Sequence, residues 1–204
     1  MELVVTDPDL RERLIAERQA SGGDRFDEVW EGTYVMAPLA NDEHQGIQTG
    51  LAAVFQIVVG WPGAGLVRAG VNVSDREEGW EHNYRCPDVV VILNGTSARN
   101  CNTHWVGGPD FAVEVRSRGD RTPQKLPFYA SVNVRELLVI ERHPWFLELY
   151  RLADGELAPV GRCAAGDSET LNSEVLPLSF RLIPASPRPT IEVTHQESGQ
   201  HWSI

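Results

Sequence analysis

Two acidic residues stand where an acid is expensive. Asp88 sits near the start of CPDVVVIL (residues 86–93), and Glu114 interrupts FAVEV (residues 111–115). A carboxylate in a buried strand is costly unless it is paired or binds a metal. Two carboxylates converging at one sheet edge repel each other, and a divalent cation relieves that repulsion. Oxygen ligands of this kind suit Mg²⁺ or Mn²⁺. Taken singly, each acid has a simpler account: Asp88 caps the turn after Pro87, and Glu114 pairs with Arg68 or Arg116. A third residue shifts the balance. Of the 18 basic residues, 17 are Arg and one, Lys125, is Lys. An ammonium is a compact charge whose pKa can fall when it is desolvated near a metal, a behaviour that Arg does not share. The three residues together point to a metal-assisted site.

The elements that must position these residues read as a mixed α/β fold. Residues 7–20 form a helix capped by Asp7, with Pro8 at its first position and Leu10, Leu14 and Ile15 on one apolar face. A hairpin over 26–36 turns at Glu31-Gly32, residues 38–42 are a loop, and 43–59 form a second helix. Strands follow at 66–74, 86–93 and 111–115, with polar loops at 75–83 and 94–109. Residues 122–131 form a helix despite Pro123 and Pro127, and Asn133 supplies the left-handed residue that ends it. Strands at 135–141, 145–151 and 156–160 come next, the last after an Asp154-Gly155 turn. Residues 161–178 read as irregular and 176–183 as a final strand. Residues 1–183 are expected to form one domain, and 184–204 an extended tail with one strand at 190–194.

The charge excludes some functions. With 18 Lys+Arg against 29 Asp+Glu, the 204-residue chain carries a net −11. It lacks the basic field that non-specific coating of nucleic acid requires. A local exception runs from Arg116 to His143, where six basic residues (Arg116, Arg118, Arg121, Lys125, Arg135, Arg142) meet three acids. Residues 1–31 hold nine acids and four Arg, so a polynucleotide is expected to meet the middle segment and avoid the start of the chain. Three cysteines, with no CxxC pair, argue against a disulfide framework or a zinc knuckle. A cysteine hydrolase using Cys86 or Cys101 has no supporting spacing, and no GxSxG, HExxH, Walker A or GxGxxG pattern occurs. Neither a signal peptide nor a membrane span is expected, which makes the cytoplasm the expected location.

Read as a motif, Pro87-Asp88, 25 further residues and then Glu114-Val115-Arg116 resemble the PD-(D/E)-x-K pattern of metal-dependent nucleases, with Arg at the Lys position. The surrounding segments extend the likeness. The hairpin from Phe26 to Met36, the Glu43-His44-Gln45 helix start, Tyr84-Arg-Cys-Pro-Asp88, Gly108-Pro-Asp-Phe-Ala-Val-Glu114-Val, Lys125-Leu-Pro-Phe-Tyr129-Ala and Val134-Arg-Glu136 through Glu141 together resemble the Uma-type family of endonucleases. That family is a bacterial branch of the restriction-endonuclease-like superfamily, and the likeness runs from about Phe26 to Arg151. It implies a restriction-endonuclease-like mixed sheet flanked by helices, with additional hairpins. Departures are Arg116 in place of a neutral residue, Ser117-Arg118-Gly119 in place of Ser-Pro-Ser, Pro127 within the helix, and Asn133 in place of Gly.

The resemblance also implies roles. Asp88 and Glu114 hold one Mg²⁺ or Mn²⁺, with the Val115 carbonyl as a third oxygen. Lys125 orients the attacking water or stabilises charge on the phosphorane, while Arg116 is secondary. Glu28 and His44 lie nearby as an auxiliary ligand or proton-transfer groups. The expected partner is nucleic acid, DNA ahead of RNA, and the expected activity is that of an endonuclease. A competing reading keeps the fold without turnover, as a dimeric binding or assembly module; exposed sheet edges leave room for a homodimer.

Overall fold

The computed structural model describes residues 3–37, 40–117 and 119–204. Pro38 and Leu39 of the expected loop and Arg118 of the basic segment lie outside the described residues. In chain order, β1 (Leu3–Val5) precedes α1 (Pro8–Ser21), and the hairpin of β2 (Glu28–Trp30) and β3 (Thr33–Met36) leads to α2 (Asp42–Phe55). A π-helical turn, Gln56–Gly60, extends α2. Then come β4 (Gly65–Ala69), β5 (Val73–Ser74), β6 (Tyr84–Arg85), β7 (Val89–Leu93), β8 (Arg99–Asn100), β9 (Trp105–Val106) and β10 (Phe111–Val115). Helix α3 (Thr122–Ser131) crosses to β11 (Glu136–Arg142). The chain finishes with β12 (Trp145–Ala153), β13 (Glu156–Ala164), β14 (Leu171–Asn172), β15 (Leu178–Ile183), β16 (Thr190–His195) and β17 (His201–Ser203).

The central sheet has six strands in the order β13-β12-β11-β10-β7-β4. Its one parallel pair is β10 with β11, the pair joined through α3, because a parallel connection needs a crossover. Alternation along β10 divides its side chains. Phe111, Val113 and Val115 join Ile47, Leu51 and Phe55 of α2 in one core, whereas Ala112 joins Phe128 and Tyr129 of α3 in another. Glu114 shares the parity of Ala112, so it faces α3. Val89 of β7 lies opposite Val113, which brings Asp88 to the end of the sheet that carries Glu114.

Local signals account for the helix ends. Asp7 accepts the Leu10 N–H at 2.8 Å, and α1 stops at Gly22, φ +68°. Asn41 caps α2 by accepting the His44 N–H at 3.1 Å. The residue expected to end α3, Asn133, has φ +66°.

The structure departs from the sequence reading in several places. The stretch 66–74 is two strands in two different sheets, because Gly70 takes φ +62° and turns the chain between them. Helix α1 has no buried residue, so the Leu10, Leu14 and Ile15 face is not a core face. The loop 94–109 contains the short strands β8 and β9, and β13 runs on to Ala164 within the stretch read as irregular. Residues 184–204 are not an unpaired tail. Thr190–His195 pairs along the whole of β15, and β17 pairs with β16. Pro184, Pro187 and Pro189 stand before that strand, where no ladder N–H is lost. The four-stranded sheet β14-β15-β16-β17 buries Phe180, Ile191 and Val193 in the same core as α2.

Phe180 carries much of that attachment. Its ring stacks on Phe111 at 5.8 Å and meets Phe55 edge-on at 6.4 Å. Phe180→Ala should therefore destabilise the protein by about 3–5 kcal/mol, the range for a buried Phe, read as a lower midpoint in urea unfolding. An unchanged midpoint would mean that the C-terminal sheet does not pack on the core.

Candidate active site

One cleft gathers the residues expected from the sequence: Glu28, His44, Asp88, Glu114, Val115 and Lys125 all line it. They arrive from five places in the chain. Glu28 opens β2, His44 lies in the first turn of α2, Asp88 immediately precedes β7, Glu114 and Val115 end β10, and Lys125 lies in α3.

Asp88 is fixed from several directions. Its Oδ2 accepts the Val115 N–H at 2.7 Å, and His44 Nε2 lies 2.7 Å from Oδ1. Its carbonyl accepts from Gln48 Nε2 at 2.7 Å. Its side chain keeps 18% exposure, so it still faces the cleft. The N–H and C=O of a strand residue point to the same side. The Val115 carbonyl therefore lies on the Asp88 side of β10. His44 Nδ1 is buried and has no hydrogen-bond partner among the described residues.

Glu114 and Lys125 are buried at 3% and 4% exposure. Lys125 Nζ donates to Glu28 Oε1 at 2.9 Å and to the Glu114 oxygens at 3.1 and 3.3 Å. The Tyr129 hydroxyl donates to Glu114 Oε1. Glu28 also accepts the Cys86 N–H at 2.8 Å and Trp30 Nε1 at 2.7 Å. With both oxygens engaged, Glu28 serves as the seat of the ammonium. Neither simple pairing expected for Glu114 occurs: its cation is Lys125, not Arg68 or Arg116.

Electrostatics follow from this packing. Burial raises the Glu114 pKa well above the ordinary carboxylate value; Lys125 opposes that rise, and Asp88 and Glu28 add to it. Burial also works to lower the Lys125 pKa, but Glu114 and Glu28 outweigh it and hold the ammonium well above its ordinary value. Two carboxylates facing the amine thus work against the fall that desolvation alone would bring. Burial, then Glu114, likewise raises Tyr129.

The cleft lining carries four carboxylates, Glu28, Asp88, Glu114 and Asp120, against one ammonium, Lys125, an excess of negative charge that a divalent cation would relieve. Among the described residues no group of three or more His, Cys, Asp or Glu side chains stands in ligating arrangement. A hard cation such as Mg²⁺ needs only one or two protein carboxylates, with waters and substrate oxygens completing its shell. Asp88, Glu114 and the Val115 carbonyl are the donors that could hold it.

The basic segment looks different in the structure. Arg116 pairs with Glu141 at 2.7 Å, Arg135 with Asp110 at 3.1 Å and Arg142 with Glu43 at 2.9 Å, while Lys125 is bound as above. Its +3 is therefore largely neutralised at short range. Arg116 does not line the cleft. Arg142 instead ties the site's frame together, donating to the Arg116 carbonyl, Ser117 Oγ and Asn41 Oδ1 at 2.9, 2.9 and 3.0 Å. Sequence reasoning gave no role to Gln48 or Tyr129. Each follows His44 or Lys125 by four positions on a helix, the spacing that places two side chains on one face.

Residues 15–186 match the family model Uma2, described as a putative restriction endonuclease. The crystal structure of a putative nuclease belonging to DUF820, from Anabaena variabilis, aligns with a TM-score of 0.59 at 16% identity, covering 74% of this chain and 83% of that one. Likeness at that identity is a likeness of fold. No curated protein matches the chain. Among the described residues no helix is long and apolar enough to cross a membrane.

The buried cluster predicts a measurable stability change. Lys125→Met leaves Glu28 and Glu114 without their cation and should cost about 3–5 kcal/mol in urea unfolding at neutral pH. The Glu114 pKa is raised on folding, so its contribution is present below the unfolded value, about 4.3, and is lost as pH rises through the folded value. Metal-free Glu114→Gln should therefore show a flatter fall in stability above that pH. A wild-type slope in this variant would contradict the raised pKa.

Proposed function

The chain belongs to the Uma2 family, and from that premise we propose that it is a divalent-metal-dependent endonuclease hydrolysing the phosphodiester bonds of DNA. The observation that carries the reading is the convergence of Asp88, Glu114 and a buried, charge-retaining Lys125 in one cleft. Bound between the two acids and the Val115 carbonyl, Mg²⁺ or Mn²⁺ would supply Lewis acidity and lower the pKa of an attacking water. The chain's own residues then divide the remaining work. Lys125, held between Glu28 and Glu114, would present positive charge to the phosphorane oxygens and orient the attacking water. His44 Nε2 lies 2.7 Å from Asp88 Oδ1 and fixes the orientation of that carboxylate. Glu28 and Tyr129 hold Lys125 and Glu114 in register.

A second reading, a nuclease fold retained as a dimeric binding or assembly module, draws on Glu114 being closed over by Lys125 and Tyr129. One assay separates the two. Supercoiled plasmid, single-stranded DNA and RNA are incubated with Mg²⁺ or Mn²⁺ and wild type, Asp88→Ala, Lys125→Ala, Lys125→Arg or Arg116→Ala, each checked for folding by circular dichroism. Wild type should cleave and lose activity in EDTA. Lys125→Ala should lose roughly a hundredfold or more, as for a positioned charge-stabilising group, and Arg116→Ala should lose far less. Equal cleavage by wild type and Lys125→Ala would remove the lysine assignment. A wild type that binds Mn²⁺ calorimetrically yet cleaves nothing would install the second reading.

A further inference from the structure

The cleft continues past Asp88. A second depression adjoins it, and the two share Phe26, Ala37, Gln45 and Gln48. Their charges differ. The inner lining holds Glu28, Asp88, Glu114 and Asp120 against Lys125. The outer lining has Arg18 and Arg25 and, among the described residues, no Asp or Glu. Arg18 is committed, donating to Asp27 Oδ1 at 2.7 Å and to the Ala37 carbonyl at 3.2 Å. Arg25 is exposed, makes no ion pair among the described residues, and lies over the Phe26 ring at 5.5 Å from its centroid. Gln45 and Thr49, four positions apart on α2, are exposed beside it, and neither side chain makes a hydrogen bond among the described residues. Phe26 is seated against Gly70, where a Cβ would come within 2.7 Å of the ring. An aromatic ring, a guanidinium that lies over it without an ion pair among the described residues, and two polar side chains thus lead into the acidic cleft.

This arrangement suits one strand better than two. Duplex DNA carries a negative charge about every 1.7 Å and gains affinity from many phosphate contacts, of which a chain of net −11 with Arg116, Arg135 and Arg142 each paired to a carboxylate offers few. Single-strand sites work instead by stacking bases on aromatic rings beside a few cations. The acids and Lys125 lie at the cleft floor, where a pliant strand can lower a phosphodiester and a stiff cylinder cannot. We infer that the two depressions form one track for an unpaired DNA strand. The phosphodiester to be cleaved lies over the inner cleft, a neighbouring phosphate meets Arg25, Gln45 and Thr49, and a base stacks on Phe26. The inner half of this assignment rests on the nuclease reading; the outer half is a binding site in its own right. It also reverses the expectation that polynucleotide avoids the N-terminal segment.

The test is fluorescence anisotropy with a labelled DNA strand of about 12 nucleotides, within the usual single-strand site sizes, in Ca²⁺ and across a salt series. The same sequence is presented as a duplex and as a strand with abasic positions. Wild type should bind the strand about tenfold or more tighter than the duplex, the preference that stacking confers. Arg25→Ala should reduce the slope of log affinity against log salt by about 0.7, the single-strand value for one phosphate, and Arg25→Glu should weaken binding further. Phe26→Leu, checked by thermal melting, should lose about fivefold or more through stacking, and lose nothing on the abasic strand. Arg99→Ala, outside both depressions, should bind as wild type. Equal binding of strand and duplex, no strand binding, or Arg25 and Phe26 variants that match wild type would each overturn the track. Arg25- and Phe26-dependent binding without cleavage would keep the track and remove the nuclease reading. Cleavage and binding untouched by Arg25→Glu and Phe26→Leu would do the reverse.

Discussion

An ammonium buried in a protein must find carboxylates there or lose its proton, and much of this site follows from how Lys125 meets that constraint. Its partners come from the two ends of the sequence's useful range: Glu28 on the N-terminal hairpin and Glu114 on the central strand β10. The N-terminal hairpin is thereby pinned to β10 and to the helix that follows β10 in the chain. The pin is doubled close by. The Arg85 guanidinium stacks between Trp30 and Phe128 at 4.7 and 4.2 Å, and its Nη1 donates to the Val29 carbonyl at 3.0 Å. Trp30 in turn holds Glu28. The seat of the lysine is therefore set by the packing of the fold itself.

The same constraint explains why total charge misleads here. Counted along the chain, residues 116–143 are basic; counted in space, four of their six cations each face a carboxylate within hydrogen-bonding range. The cleft lining is acidic, while Arg25, within the acidic first 31 residues, makes no ion pair among the described residues. Short-range pairing decides the local field because Coulomb energy grows as the pair closes and solvent withdraws.

Legibility in the sequence follows the range of the interaction. Whatever depends on spacing along one element could be read: the caps of α1, the hairpin turns, the left-handed Asn133, the alternation that sets Glu114 apart from Val113 and Val115. Asp88 and Glu114 were visible because each breaks an apolar run. Glu28 and His44 were reached only through the family likeness, since Lys125 meets Glu28 across 97 residues and no local pattern encodes that distance. The split of 66–74 rests on a single glycine whose φ only the structure reveals. The C-terminal strands were hidden by three prolines that belong to the connection and not to the strand. Gln48 and Tyr129 are a different case: the helical spacing was present, but it gains meaning only once His44 and Lys125 are known to face the cleft.

Placing the lysine on a helix rather than on the strand changes what the site depends on. At the strand position, Arg116 is used to pair with Glu141, a contact between β10 and β11. Helix α3 is a poor carrier by propensity: it has ten residues, a Pro at its start and Pro127 inside it, where a backbone donor is lost. It holds because Phe128, Tyr129 and Ala130 are buried against the sheet. Lys125 is thus positioned by core packing rather than by the helix itself, and Tyr129, in that same packed surface, is also the residue that donates to Glu114. The groups that set the site's charge and the groups that close the α3 core are the same few residues, so the site is complete only when that face of the sheet is packed.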